Sequence, residues 1–288
     1  MQTIGKYFDH YFGPEKVRKI ELLILRAAIF SFLIHLLLIF LGNNFGLLHH
    51  TQQNYLKAIY TPFSFILYYE VFLLIIIIPK SISEFIGKQF EVITLITLRS
   101  FFHDIADFNF SHLISINSPE IISLVYDLGA ALTLLTLTIL YYKIYYNNKK
   151  KEVVTELKDF IIIKKNVSFG MIIVLFLLSV TSLLNWSNDV LYAFQNNTNY
   201  PNPNTVFYTD FFSIMILVDV LLLIISFVYN FSFFTIFRNA SFIITTILIR
   251  LSLTIAKPMN YFMVIVGFLF SVITFYLFSH RNSKKTEQ

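Results

Sequence analysis

The fold is decided by apolar segments such as PFSFILYYEVFLLIIII, residues 62–78, in which Glu70 is the only charged side chain. A helix needs about 20 predominantly apolar residues to cross the hydrocarbon core of a bilayer. The composition of the whole chain agrees with this, because 56% of residues are hydrophobic and only 14% are charged. Soluble proteins carry roughly a quarter of charged residues. The sequence therefore predicts an integral membrane protein built from α-helices.

Further segments of similar character lie on both sides of this one. Two of them are less apolar, and each of these contains an arginine, Arg99 in the third segment and Arg250 in the seventh. With both included, we predict an all-α polytopic protein with about eight transmembrane helices; without them there would be six. The first segment lies behind a basic leader and is too long for the core of a signal peptide, so it is typical of a signal anchor. The additional segments cover residues 22–41, 86–105, 121–142, 167–184, 211–228, 236–255 and 259–278.

The distribution of basic residues predicts the orientation. If the N-terminus is cytoplasmic, most of the 22 lysines and arginines fall on the cytoplasmic side, and Lys57 and Lys257 are the ones that fall outside. This agrees with the positive-inside rule, so both termini are predicted to be cytoplasmic, in the plasma or inner membrane. We interpret the basic runs 149–151 and 284–285 as contacts for anionic lipid headgroups. No loop is long enough to form a nucleic-acid-binding surface.

Polar residues recur between the two halves of the chain. Glu70 aligns with Asp219, and Arg99 aligns with Arg250 in the following segment. The fourth and eighth segments align through tyrosines, which pair Tyr126 with Tyr261 and Tyr141 with Tyr276. We interpret this as a tandem duplication of a four-helix unit, which gives both copies the same orientation and a pseudo-twofold axis along the membrane normal. The predicted parts are a leader (1–21), a first repeat (22–146), a cytoplasmic linker (147–165), a second repeat (166–279) and a tail (280–288).

The duplicated charges predict two intramembrane ion pairs. Glu70 and Arg99 lie at similar depths below the ends of their segments, and so do Asp219 and Arg250. An unpaired charge at such a depth costs at least about 2.5 kcal/mol, so we expect Glu70 to pair with Arg99 and Asp219 with Arg250. Two interpretations remain open. The pairs either tie helices together, or they belong to a pathway in which each carboxylate binds a cation or a proton.

The third segment also carries a polar stripe. At 100° per residue its polar residues share less than half of the helix circumference with Arg99, and we expect this face to point to the bundle interior or to a hydrated cavity. The stripe consists of Glu84, Lys88, Glu91, His103 and Asp107.

Several histidines and acids near the predicted outer side are weak metal-ligand candidates. Their spacing matches no catalytic signature, and we favour their interpretation as solvated interfacial side chains. The chain has no cysteine, which excludes disulfides and thiolate sites. The candidates are His49, His50, His103, Asp107 and His112.

These observations favour a non-enzymatic ion channel or transporter-like protein without a cofactor. The first alternative is a non-catalytic anchoring or signalling subunit, either as a homo-oligomer or with a partner chain. The second alternative is an intramembrane metal-dependent hydrolase.

Overall fold

The computed structural model of the chain describes residues 8–45, 55–107, 118–149, 158–196, 208–229 and 233–285. These residues form eight long α-helices and a short 3-10 segment, Tyr55–Ile59, and they contain no β-strand. Each long helix overlaps one of the apolar segments, so the predicted all-α architecture is confirmed. The helices are α1 (Pro14–Phe45), α2 (Tyr60–Ile77), α3 (Ile82–Asp107), α4 (Pro119–Lys149), α5 (Lys158–Asn196), α6 (Tyr208–Tyr229), α7 (Phe233–Ser252) and α8 (Met259–Lys285).

Four helices in the described part of the chain are long and apolar enough to cross a membrane, namely α1, α4, α5 and α8. The apolar stretches of α2 and α6, Thr61–Ile77 and Ser213–Ser226, are shorter. The helices α3 and α7 do not reach this standard, because α3 carries charges along one face and α7 contains Arg238, Asn239 and Arg250.

The four helices that are apolar enough to cross a membrane expose apolar side chains on the outside of the bundle. Only 11% of the apolar window of α1 is buried, and Leu23, Phe30 and Leu33 are among its exposed residues. Phe262 and Ile273 are similarly exposed on α8. A continuous apolar surface of this size is unfavourable in water but is the natural outer surface of a protein in lipid.

Consecutive helices pack on one another within each half of the chain, and the halves meet through α3 against α7, α4 against α8 and α2 against α5. The centre of this interface is aromatic. Phe90 on α3 stacks on Phe268 of α8, with ring centroids 3.7 Å apart, and Tyr141 on α4 stacks on Phe275 of α8 at 5.1 Å. All four side chains are buried, so the middle of the bundle is densely packed with rings.

The tyrosines that the sequence alignment of α4 with α8 matches differ in burial. Tyr141 is buried whereas Tyr276 is exposed, and Tyr126 is exposed whereas Tyr261 is buried. A shift by one residue pairs Tyr141 with Phe275, and both are buried. One residue rotates a helix by 100°, so the tyrosines matched by identity lie on different faces.

Gly87 provides a test of the packing between α3 and α4. A methyl group at this position would come within 3.0 Å of the Tyr142 ring. That ring cannot swing away easily, since the Tyr142 hydroxyl donates to Glu91 Oε1 at 2.6 Å. We expect Gly87→Ala to lower the free energy of unfolding by about 1–3 kcal/mol, as measured by thermal unfolding in detergent.

The matched control is Gly129→Ala on α4, where no atom lies within 4 Å of the added methyl group. This change should be neutral or stabilising by up to about 1 kcal/mol, because alanine favours a helix over glycine. Equal effects of the two substitutions would contradict the close approach of α3 and α4.

Candidate functional site: a buried charge network

An ion pair joins α6 to α7 in the interior of the bundle. Arg250 Nη2 lies 3.0 Å from Asp219 Oδ2, and the two side chains are only 3% and 2% exposed. The structure therefore brings together the two residues that the sequence paired in the second half. Neighbouring α6 residues are almost all apolar, so the guanidinium is what offsets the cost of burying this carboxylate.

Polar side chains of α3 and α7 surround this pair. In addition to Arg250, the Gln89 side chain of α3 lies beside the Asp219 carboxylate. Thr246 Oγ1 of α7 donates to Gln89 Oε1 of α3 at 2.9 Å, which links the two halves of the chain. Sequence reasoning missed Gln89. Its only signal was an amide that directly follows Lys88 of the polar stripe.

Asp219 lies on the wall of a small, partly open cavity of about 40 Å³. Residues of α3, α5, α6 and α7 line it, and its walls are mostly apolar, with Asp219, Thr246 and Lys164 as the polar side chains. A water molecule requires roughly 10–15 Å³ of such volume, so the cavity has room for a few waters.

Lys164 is buried at 2% exposure, although the sequence placed it in a cytoplasmic linker. Its Nζ donates to the Lys80 carbonyl at 2.9 Å and lies 4.6 Å from the centroid of the Phe160 ring. Lys80 lies in the turn three residues after the end of α2, so the ammonium lies near the carboxyl end of that helix. Ser168 also donates to the Ile75 carbonyl at 2.6 Å, which fixes α5 on the last turn of α2.

In the first half, Lys88 contacts the Glu70 carboxylate. Its Nζ lies 2.8 Å from Glu70 Oε2 and 2.7 Å from Glu91 Oε2. The side chains of Glu70 and Lys88 are 12% and 14% exposed. Together with the bond from Tyr142 to Glu91, these contacts form a chain of polar groups across α2, α3 and α4. Glu84, also in the polar stripe, forms a more exposed pair with Lys80 at 2.9 Å.

The expected Glu70–Arg99 pair is therefore corrected, because Arg99 Nη2 donates instead to Ser64 Oγ at 3.1 Å. Residues 78–81 form a short turn, which sets the register of α2 and α3. Glu70 lies seven residues before the end of α2, and Lys88 lies six residues after the start of α3, at the same level. Arg99 is eleven residues further along α3 than Lys88, roughly 16 Å at 1.5 Å per residue.

The candidate metal ligands give no site in the described part of the chain. His49, His50 and His112 lie outside the described residues, and His103 and Asp107 lie in α3 with side chains that are not described. Among the described side chains, no group of three or more His, Asp or Glu could hold a metal ion.

A second charge cluster lies at the predicted outer end of the bundle. Lys257, in the turn between α7 and α8, lies 3.0 Å from Asp104 Oδ2 and 2.8 Å from Asp127 Oδ1. Tyr261 donates its hydroxyl to Asp127, and Ser123 donates to Asp104 at 2.6 Å. This outer cluster joins α3 and α4 of the first half to the second half.

Lys257 is positively charged at neutral pH. Partial burial lowers its pKa, but the hydrogen bonds to Asp127 and Asp104 outweigh this and raise the pKa above the ordinary value of 10.5. The sequence contained a usable signal for this cluster, since Lys257 is one of the few basic residues predicted to lie outside and two acids share that side.

Comparison with protein-family models, with curated proteins and with solved structures finds no match. The function is therefore inferred from the geometry of the chain itself.

The coupling between Asp219 and Arg250 can be measured by a double-mutant cycle. Asp219→Asn removes the carboxylate that faces the buried guanidinium, and Arg250→Gln removes the guanidinium that faces the buried carboxylate. Each should lower the free energy of unfolding by about 3–5 kcal/mol. The double variant should lose much less than the sum of the two, as measured by thermal unfolding in detergent. Additive losses would show that the two charges do not interact.

The outer cluster gives a separate prediction. Lys257→Met removes the cation between two acids, and Asp127 is fully buried. We expect a loss of about 1–3 kcal/mol at neutral pH, less than for a fully buried pair because the lysine is a third exposed. Since the pKa of Lys257 is raised, its contribution is present below pH 10.5 and disappears as the pH rises through the raised value.

Lys143→Met serves as the control, because Lys143 is exposed on α4. Thermal unfolding of the two variants in the same detergent compares them directly. A loss of the same size for both would contradict a specific role of the outer cluster.

Proposed function

We propose that this chain is a multi-pass membrane protein that moves protons, or small cations, across the membrane, with Asp219 as the exchanging carboxylate. One observation carries the proposal. A buried acid in the interior of the helix bundle faces an arginine and lies on the wall of a small, partly open cavity. Ionisable groups inside membrane helices are rare, and many of them belong to ion pathways or proton relays.

We further propose that all eight long helices cross the plasma or inner membrane, as two four-helix units of the same orientation with both termini in the cytoplasm. The contacts between the halves support this, since α3 packs on α7 and α4 on α8. Contacts between equivalent helices are what a twofold axis produces. Burial also supports it, because the one-residue shift that matches Tyr141 with Phe275 also matches Leu134 with Phe268, and these four are buried.

The size of the cavity favours a proton over a hydrated metal ion. A volume of about 40 Å³ accommodates a few waters, which is less space than an ion with a full hydration shell requires. A proton neutralises Asp219 without requiring coordination space, and it weakens the attraction of Arg250 for the carboxylate. That change is the step by which proton binding would alter the packing of α6 against α7.

A second candidate function is that of a rigid, non-catalytic membrane subunit. The stack of Phe90 on Phe268, with planes 9° apart, favours this alternative because it fills the interface between the halves with rings and not with water. The hydrolase alternative depends on histidines whose side chains are not described and gains no support.

The two candidates are separated by a flux measurement. The protein is reconstituted in liposomes, a potassium potential is imposed, and internal pH is followed with a trapped dye. The Asp219→Asn/Arg250→Gln double variant keeps the site free of unpaired charge, so it should fold and yet lose proton flux by about tenfold or more. Asp159→Asn changes an exposed acid at the start of α5 and should leave the flux unchanged.

Both opposing outcomes are informative. Folded wild-type protein that adds no flux over empty liposomes would favour the subunit function. A double variant that conducts like the wild type would remove Asp219 from the pathway.

A further inference from the structure

A wide cleft opens between the beginning of α7 and the last turns of α8. Its volume is about 360 Å³, which makes it much larger than the cavity at Asp219. The walls are largely aromatic, and the rings of Phe233 and Phe237 stack on each other with their centroids 6.3 Å apart. Both rings are more than half exposed, at 69% and 55%. A cleft with exposed phenyl rings offers a substantial apolar surface to a ligand.

One cation lies in this apolar cleft. The guanidinium of Arg238 is held over the ring of Phe278 at 4.5 Å from its centroid, and its Nε donates to Asn239 Oδ1 at 3.4 Å. Stacking on a ring fixes the orientation of the guanidinium plane of an arginine. A planar guanidinium is well suited to bind the oxygens of a phosphate.

The position of the cleft fits a ligand from the membrane. It lies at the start of α7 and near the end of α8, the end of the bundle predicted to face the cytoplasm, where Arg281, Lys284 and Lys285 follow in the sequence. Basic pockets between helices on the cytoplasmic side are typical binding sites for anionic lipid headgroups. A ligand that suits both the cation and the phenyl rings of this cleft has an anionic group attached to a hydrocarbon chain.

We propose that this cleft binds one anionic phospholipid of the cytoplasmic leaflet, with its phosphate on Arg238 and an acyl chain along Phe233 and Phe237. A free phosphate would contact the arginine but not the exposed rings, and a lipid without net charge would contact the rings but would gain less from the guanidinium of Arg238. The inference depends on the location of the chain in a membrane and not on proton movement through Asp219.

The test uses fluorescence quenching by lipids with brominated acyl chains. Trp186 is the only tryptophan of the chain, so Trp186→Phe gives a dark background. Leu277→Trp then introduces an indole at an exposed position that lines the cleft. This reporter is reconstituted in phosphatidylcholine vesicles that contain either brominated phosphatidylglycerol or brominated phosphatidylcholine at equal mole fraction.

We expect the anionic lipid to reach half-maximal quenching at about a fivefold lower mole fraction than the neutral lipid, which corresponds to one basic contact near the surface. Arg238→Gln in the reporter background should abolish this preference. Arg26→Gln, which removes an exposed arginine on α1, should preserve it.

Three results would overturn the proposal. The first is equal quenching by the two lipids in the reporter protein, and the second is a preference that survives Arg238→Gln. The third is a reduction by Arg26→Gln as large as that by Arg238→Gln, which is expected if basic residues are attracted to the leaflet in general. If Arg238→Gln lowers the folded yield, Arg238→Lys provides the second comparison, because it retains the charge but loses the planar guanidinium. It should keep a preference weaker than that of the reporter protein, and an unchanged preference would contradict the assigned contact.

Discussion

The rest of this structure depends on the requirement that each charge inside the apolar bundle is compensated, by a partner of opposite sign for Asp219 and Glu70 and by a backbone carbonyl for Lys164. An ionised carboxylate is very costly to bury unless a cation and hydrogen bonds compensate for the lost water. For Asp219 the cation is Arg250, at 3.0 Å, and this contact fixes α6 against α7. Because Thr246 on α7 also binds Gln89 on α3, the same region of the bundle connects the second half to the first.

The two halves meet the same requirement with different residues. In the first half the acid is neutralised by Lys88, whose position is set by the short turn between α2 and α3. In the second half the acid lies ten residues before the end of its helix, compared with seven for Glu70. Those three residues bring Asp219 about 4.5 Å closer to the level of its arginine. Glu70 also shares its lysine with Glu91, whereas Asp219 has Arg250 and the Gln89 side chain beside it.

Local hydrophobicity along the sequence predicted the helices well. Contacts that depend on the register between helices were harder to predict. The apolar segments predicted the helices because hydrophobicity is a local property of about 20 residues. The Asp219–Arg250 contact could be predicted, since both residues stand out as charges in apolar surroundings. Lys88 was assigned to the stripe but not to Glu70, because depth was measured from uncertain outer ends and not from the inner turn. The contacts of Gln89, Lys164 and Lys257 join residues more than 80 positions apart, and no local pattern specifies such neighbours.

The packing also restricts which movement could expose Asp219. At the predicted outer end, Lys257 ties α3 and α4 to the second half, and in the centre Phe90 stacks on Phe268. In contrast, α6 packs mainly on α5 and α7 in the described part of the chain, and it takes no part in that aromatic stack. A shift of α6 would therefore change the surroundings of Asp219 without separating the two halves. The cavity beside Asp219 lies next to the inner turn of α2 and α3, since Ile78 and Ile82 line it, so the shorter way to water leads to the predicted cytoplasmic side. Under the proposed function, exchange of a proton at Asp219 would begin from that side, and Arg250 would hold the carboxylate until the proton arrives.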